Sequence, residues 1–268
     1  MSREKYFKIE KEGHIAWLTF NRPEARNTMD FTFFESLPGI FAEFDRDPDV
    51  RVVVIKAEGK SFTAGLDLVA AQSLMGDGSA LWRENLRRRI VEFQEGMNCI
   101  EKCSKPVIAA IHGHCIGGGT NLTCACDIRY ASKDAVFSVR ETRIGIVADI
   151  GALQRLPYIV GHGWTRELCL TGRDFTAEEA LKMGYITKLF DDRESLIAGA
   201  KALAEELAAL PPMTVQGVKD VINYSRDNGV YPGLLYVAQK NSALVPSDDM
   251  IEAVMAFLEK RKPVFKGR

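Results

Sequence analysis

The chain has 268 residues, with 35 Lys and Arg against 36 Asp and Glu and a formal net charge of -1. That balance excludes the clustered surplus of base that nucleic-acid binding needs, and it supplies no bulk attraction to an anionic membrane. Hydrophobic residues make up 46% and charged residues 26%, as in soluble globular proteins, and no apolar run approaches the ~20 residues that span a bilayer. Met1 to Lys11 is polar and charged, unlike a signal peptide, and Lys266-Gly267-Arg268 is no peroxisomal address of the Ser-Lys-Leu kind. A cytoplasmic setting is expected.

Tyr6–Glu10 and His14–Phe20 read as a hairpin turning at Glu12-Gly13. Phe34, Leu37, Phe41 and Phe44 recur at helical spacing, and Pro38 inside that pattern predicts a break or kink. Val52-Val53-Val54-Ile55 and Pro106–Ile111 are short, continuous apolar runs, which suits strands buried on both faces. Between them Ala80–Cys103 is a long helix, whose Arg87-Arg88-Arg89 face reads as solvated charge. Asp127–Tyr130 and Ala135–Val139 follow as strands.

Thr176 to Glu179 is a capping box, and Gly184 suits the stop of its helix. Tyr185–Phe190 reads as one more strand. Ala200–Leu210 is a helix with Leu203, Leu207 and Leu210 on one face, ended by Pro211-Pro212, and helices continue to Lys262. The alternation predicts an α/β protein, with a β/α core over residues 1–195 and a helical region over 196–268. Six cysteines, without a Cys-x-x-Cys pair or a secretory signal, read as small buried thiols rather than disulfides or metal ligands.

Two glycine-containing loops follow the two buried strands, Ser61 to Asp67 and Gly113 to Asn121. A loop leading from a buried strand into a helix presents backbone N–H groups, and glycine lets a ligand approach them closely. Two such loops from neighbouring strands can aim two donors at one oxygen, the geometry of an oxyanion hole. On spacing alone a triple glycine is more often a tight turn or close packing. Gly117-Gly118-Gly119 matches neither the dinucleotide fingerprint nor the phosphate-binding loop, and no nucleophile elbow is present.

Phe62-Thr-Ala-Gly-Leu-Asp67 with Gly117-Gly-Gly119 resembles the enoyl-CoA hydratase/isomerase (crotonase) superfamily. So do Phe20-Asn-Arg-Pro-Glu-Ala-Arg-Asn27, Ala125-Cys-Asp-Ile-Arg-Tyr-Ala131, Gln154-Arg-Leu156 and Ala256-Phe-Leu-Glu-Lys-Arg-Lys262. The resemblance implies a spiral of stacked ββα units, with C-terminal helices that build homotrimers, often paired into homohexamers. It implies an acyl-CoA substrate and no separate cofactor, since coenzyme A is part of the substrate. By similarity, the N–H groups of Leu66 and Gly118 would hold the thioester oxygen. Ala64 and Asp67 would bind CoA, and Phe257 and Lys260 would approach the CoA of a neighbouring subunit.

Hydratases of that superfamily use two glutamates, and the corresponding positions here are Asn121 and Glu141. A carboxamide donates and accepts hydrogen bonds but does not exchange a proton near neutral pH, which weighs against plain hydration. Asp149 sits among Val147, Ala148 and Ile150, so it is paired, functional, or the N-cap of a helix starting near Gly151. Val147-Ala-Asp-Ile-Gly151, Leu153 to Pro157, Lys60 to Asp67, Cys115 to Gly119, Cys126 to Tyr130 and Tyr224 to Asp227 resemble the Δ3,5-Δ2,4-dienoyl-CoA isomerases.

That likeness implies a 3,5-dienoyl-CoA to 2,4-dienoyl-CoA shift, with Glu141 serving C2 and Asp149 serving C6, or the reverse. The subfamily has aspartate where this chain has Asn121. An amide there removes a like charge beside Glu141 and should ease its ionisation. The competing readings are a hydratase or Δ3-Δ2-enoyl-CoA isomerase of the same superfamily, and a non-catalytic acyl-CoA-binding protein. The acyl pocket is expected around Ala70–Arg83, where Leu74, Met75, Leu81 and Trp82 are apolar and Gly76-Asp-Gly78 suggests a mobile loop.

Overall fold

The computed structural model describes residues 3–72 and 75–268. Strands β1 (Phe7–Glu12) and β2 (Ile15–Phe20) form the expected antiparallel hairpin, with Glu12 opposite Ile15. The turn is therefore Gly13-His14, one position later than expected, because Gly13 supplies the left-handed φ of +57° the reversal uses. From β2 the sheet continues in parallel through β3 (Val52–Ala57), β4 (Val107–Ile111), β6 (Ile128–Ser132) and β9 (Lys188–Phe190).

A second, small sheet joins β5 (His114–Ile116), β7 (Val136–Ser138) and β8 (Phe175–Thr176). It sets the glycine loop between β4 and the next helix.

The apolar runs are continuous because both faces of the large sheet are covered. Leu18, Val53, Ile55 and Ala109 belong to one core with α1 (Phe31–Arg46) and α3 (Ala80–Lys102). Trp17, Val52, Val54 and Ile108 belong to a second core under α7 (Arg193–Ala208). The buried face of α7 is not the leucine row. Leu196, Ala200, Ala204 and Ala208 meet the sheet, Leu203 and Leu207 flank them, and Leu210 is exposed. Alanines let the helix approach closely, and the helix starts at Arg193 with Asp192 capping it.

Helix α1 runs through Pro38 as a single element. Proline has no N–H to bond the Phe34 carbonyl. Gly96 of α3 lies against that carbonyl, where a Cβ would stand 2.8 Å away. After α7 come α8 (Pro212–Asn228), α9 (Val230–Leu244) and α10 (Asp248–Leu258). Buried Lys219 anchors α8: its Nζ lies 2.7 Å from Asp127 Oδ2 and 3.0 Å from the Lys105 carbonyl. The outer faces of α8 to α10 leave Ile222, Tyr231, Leu234, Ile251 and Phe257 exposed. Among the described residues no helix is long and apolar enough to cross a membrane.

Candidate active site

The two glycine loops lie side by side. Thr63 and Cys115 form a parallel bridge, with the Thr63 N–H on the His114 carbonyl at 2.8 Å and the Ile116 N–H on the Thr63 carbonyl at 3.2 Å. Thr63 Oγ1 donates to the Asn27 carbonyl at 2.7 Å and accepts the Gly65 N–H at 3.0 Å, which folds the first loop back on itself. Gly65 has φ +86°, and a Cβ there would stand 2.5 Å from the Ile116 carbonyl oxygen and 3.6 Å from the Gly118 nitrogen. Only glycine permits that approach. The Leu66 and Gly118 backbones are thus brought close together, and among the described residues neither N–H donates to the surrounding loops.

Gly118 opens α4 (Gly118–Cys124), so its N–H has no acceptor within its own helix. Thr120 fixes this helix by donating from Oγ1 to the Cys115 and Ser138 carbonyls, both at 3.0 Å. The thiols of Cys115 and Cys124 lie behind it in the core, and burial pushes them up to about 12 and about 11. At neutral pH they are unreactive thiols rather than nucleophiles.

Asn121, on the inner face of α4, is fully buried. Its Nδ2 donates to Glu141 Oε1 at 2.7 Å and to the Gly117 carbonyl at 3.0 Å. Its Oδ1 accepts the Ala152 N–H at 2.7 Å. The backbone settles the orientation of this amide, because Ala152 N–H can only donate and the Gly117 carbonyl can only accept.

Glu141 begins a short 3-10 turn, Glu141–Ile144, just past β7. Thr142 Oγ1 on the Cys169 carbonyl and Arg143 Nε on the Thr171 carbonyl, at 2.6 Å and 3.1 Å, hold the turn. Glu141 is only 7% exposed, and among the described residues its Oε2 has no hydrogen-bond partner. Burial raises its pKa, the backbone and the Asn121 donor pull it down, and the charge of Asp149 pushes it up again.

Asp149 does not cap a helix. The N-cap of α5 (Ala152–Thr171) is Gly151, and the side chain that takes the Ala152 N–H is Asn121. Gln94 of α3 holds the Asp149 carbonyl at 2.7 Å. The residue is exposed at the surface of the isolated chain, yet loss of hydration around its carboxyl still raises its pKa. Arg155 ties the start of α5 to Asn98 and Glu101 of α3, at 2.8 Å and 3.0 Å. Gln94 and Ala152 were not among the expected residues. Each acts across dozens of residues of sequence, where no local pattern points to it.

Around the first loop, Ala64 N–H donates to the Arg26 carbonyl at 2.9 Å. The Asp67 carboxylate caps the short helix α2 (Leu68–Ala71), accepting the Val69 and Ala70 N–H groups at 3.1 Å and 3.2 Å. Beyond it Met75 and Leu81 are exposed, and Trp82 lies against Gly76. Leu74 lies outside the described residues. Phe257 lies in the last turn of α10 and is 83% exposed, and Lys260 follows just after the helix. A cavity of about 780 Å³ lies between the end of α3 and helices α8 and α9, and none of the candidate residues lines it.

The profile of the enoyl-CoA hydratase/isomerase family matches residues 10–268. The chain is 43% identical to the peroxisomal Delta(3,5)-Delta(2,4)-dienoyl-CoA isomerase of Arabidopsis thaliana over 275 residues, covering 99% of each protein. It is 42% identical to the mitochondrial Delta(3,5)-Delta(2,4)-dienoyl-CoA isomerase of Homo sapiens over 256 residues, 94% of this chain and 78% of that one. The crystal structure of an enoyl-CoA hydratase from Bacillus anthracis matches with a TM-score of 0.91 at 30% identity, over 98% of this chain and 100% of that one. The compartments named for the two isomerases are the peroxisome and the mitochondrion, which lends the cytoplasmic expectation no support.

Proposed function

The chain belongs to the enoyl-CoA hydratase/isomerase (crotonase) family and carries its α/β fold, and we propose that it converts a 3,5-dienoyl-CoA into the 2,4-dienoyl-CoA. The observation that carries this reading is Glu141, buried, with one carboxylate oxygen held by Asn121 and the other unpartnered. A base needs one such free oxygen. The extended likeness to dienoyl-CoA isomerases supports the same choice.

In this reaction Glu141 Oε2 takes a proton from C2. The C2–H electron pair enters the conjugated system and places negative charge on the thioester oxygen. The N–H groups of Leu66 and Gly118 would stabilise that charge as preorganised dipoles. The electron pair then returns at C6, where the protonated Asp149 carboxyl gives up its proton, leaving double bonds at C2 and C4. Glu141 ends protonated and Asp149 ionised, and exchange with solvent resets them. Loss of hydration shifts the Asp149 carboxyl upward, the direction this role calls for.

The CoA moiety would run along the Ala64–Asp67 loop. Since the Asp67 carboxylate is committed to capping α2, that residue would contribute through its backbone. Phe257 and Lys260 would serve the CoA of a neighbouring subunit in a homotrimer or homohexamer. Residues 1–195 would carry the site and 196–268 would carry the assembly region, with α7 at its start still packed on the sheet and the apolar side chains exposed on α8 to α10 supporting an assembly role for the rest.

Hydration is the second reading, favoured by the likeness to the Bacillus anthracis hydratase structure. It needs a second group to activate water, and both ends of the Asn121 amide are already occupied. The deciding experiment is an absorbance assay with 3,5-octadienoyl-CoA, following the conjugated 2,4-dienoyl thioester, with Asp149→Asn in parallel. Turnover that collapses in the variant supports the isomerase. No turnover by the folded wild type, with water addition to a 2-enoyl-CoA instead, would replace it by the hydratase.

A further inference from the structure

One fully buried amide joins Glu141 to the start of the helix that follows Asp149. Asn121 grips Glu141 Oε1 with Nδ2 at 2.7 Å, and with Oδ1 it holds the Ala152 N–H at 2.7 Å. Ala152 is the first residue of α5, and Asp149 lies on the segment that leads directly into it. We propose that Asn121 is a positioning residue: it registers Glu141 and Asp149 to one another and leaves Glu141 with a single reactive oxygen.

The chemistry at position 121 follows from its neighbours. The Gly117 carbonyl and Glu141 Oε1 both need a donor, and the Ala152 N–H needs an acceptor. A carboxamide supplies both without charge. An ionised carboxylate would satisfy Ala152 but turn lone pairs toward the other two. A hydrocarbon would leave all three unpaired in a buried site, which costs more than the hydrogen bonds contribute.

The ionisable groups acting on Glu141 are few. Asp149, when ionised, adds negative charge, and the Cys169 thiol of α5 responds to Glu141 in turn. Nearby Arg140 is paired with Asp174, and Arg143 donates to the Thr171 carbonyl. The Asn121 donor is therefore the main side-chain contact favouring the ionised form of Glu141.

What the two acids do rests on the isomerase reading; the coupling between them does not. The test uses Asn121→Asp and Asn121→Ala in the full chain, with folding checked by circular dichroism. Three quantities are read: carbon-13 titration of the Glu141 carboxyl, hydrogen exchange of the Ala152 amide, and kcat and KM on 3,5-octadienoyl-CoA across pH. In both variants Glu141 should titrate about one pH unit higher, since it loses its donor. The acid limb of kcat should move with it.

In Asn121→Ala, Ala152 exchange should accelerate at least tenfold, while in Asn121→Asp, where a carboxylate still accepts, it should stay near wild type. kcat should fall about tenfold or more, with KM within about twofold. An unmoved Glu141 titration in either variant, or wild-type Ala152 exchange in Asn121→Ala, would overturn the proposal. If Asn121→Ala does not fold, the near-isosteric Asn121→Asp decides it through the titration alone. Both spectroscopic readouts need no turnover, so a failure of the isomerase reading leaves them interpretable.

Discussion

Lys219 Nζ stands 2.7 Å from Asp127 Oδ2, closing an ion pair between α8 and the start of β6 across 92 residues of sequence. Asp127 also accepts the Val107 N–H at 2.7 Å, so one carboxylate fastens a C-terminal helix to two strands of the core. Lys219 is only 8% exposed. Removing one partner of such a pair leaves the other charge buried and uncompensated. Lys219→Met should lower unfolding free energy by about 3 kcal/mol in urea titrations, and adding Asp127→Leu should restore part of the loss. A Lys219→Met protein as stable as wild type would mean α8 is held by packing alone.

Glu141→Gln and Asp149→Asn should each lower kcat on 3,5-octadienoyl-CoA by about 100-fold or more, the usual range for a lost acid or base. Loss in only one of them would show that a single carboxylate serves both carbons.

The raised pKa of Glu141 has two consequences of fixed sign. As a base it works ionised, so kcat should fall as pH drops through a value above the ordinary 4.5 of glutamate. In folding, a carboxyl whose pKa is higher in the native state binds its proton more tightly there. It then opposes folding as pH rises from the unfolded pKa to the folded one, and the penalty persists above that. Below the unfolded pKa both states are protonated and the penalty is absent. Glu141→Gln, which keeps an acceptor for Asn121, should therefore raise Tm at pH 7 and leave it unchanged near pH 3. Thermal melts at the two pH values check this.

Gly65→Ala tests the contact between the two glycine loops. Its φ of +86° and the 2.5 Å approach to the Ile116 carbonyl leave no room for a methyl group. Relief requires the loops to part, moving Leu66 relative to Gly118. We expect a stability loss of about 2 kcal/mol and a tenfold or greater fall in kcat/KM. Unchanged kinetics in a folded variant would remove these two N–H groups from the reaction.

The assembly proposal predicts a solution mass three or six times that of the chain by light scattering. Tyr231→Asp combined with Leu234→Asp, at positions 71% and 60% exposed in the single chain, should shift the protein to monomer. A wild-type monomer that turns over substrate normally would refute the neighbouring-subunit roles of Phe257 and Lys260.

The inner strands of the large sheet were legible in the sequence because β3 and β4 are covered on both sides and stand out as unbroken apolar runs such as Val52 to Ile55, whereas the edge strand β9 takes only Lys188–Phe190 of the expected Tyr185–Phe190. The Thr176–Glu179 capping box was equally legible, since both of its bonds are local and form as read. The second sheet was only partly so, because β5 and β8 span two or three residues and carry no periodicity of their own. Helix α7 misled because its longest side chains are not the ones it buries. At the site, the residue types were visible, but the partners were not. Asn121 reaches Ala152 across 31 residues and Gln94 reaches Asp149 across 55, so the N-terminus of α5 is satisfied by another helix and Asp149 is free of the capping role its position suggested.

The meeting of Gly96 with the Phe34 carbonyl makes α3 a lever with its pivot inside the core. Its 23 residues span about 34 Å at roughly 1.5 Å per residue. Trp82, packed on Gly76, sits near one tip, and Gln94, with its grip on the Asp149 carbonyl, lies beside the pivot. Trp82 and Gln94 thus stand about 18 Å apart along one helix, 12 residues at roughly 1.5 Å each, with the contact to Gly76 at one of them and the grip on the Asp149 carbonyl at the other.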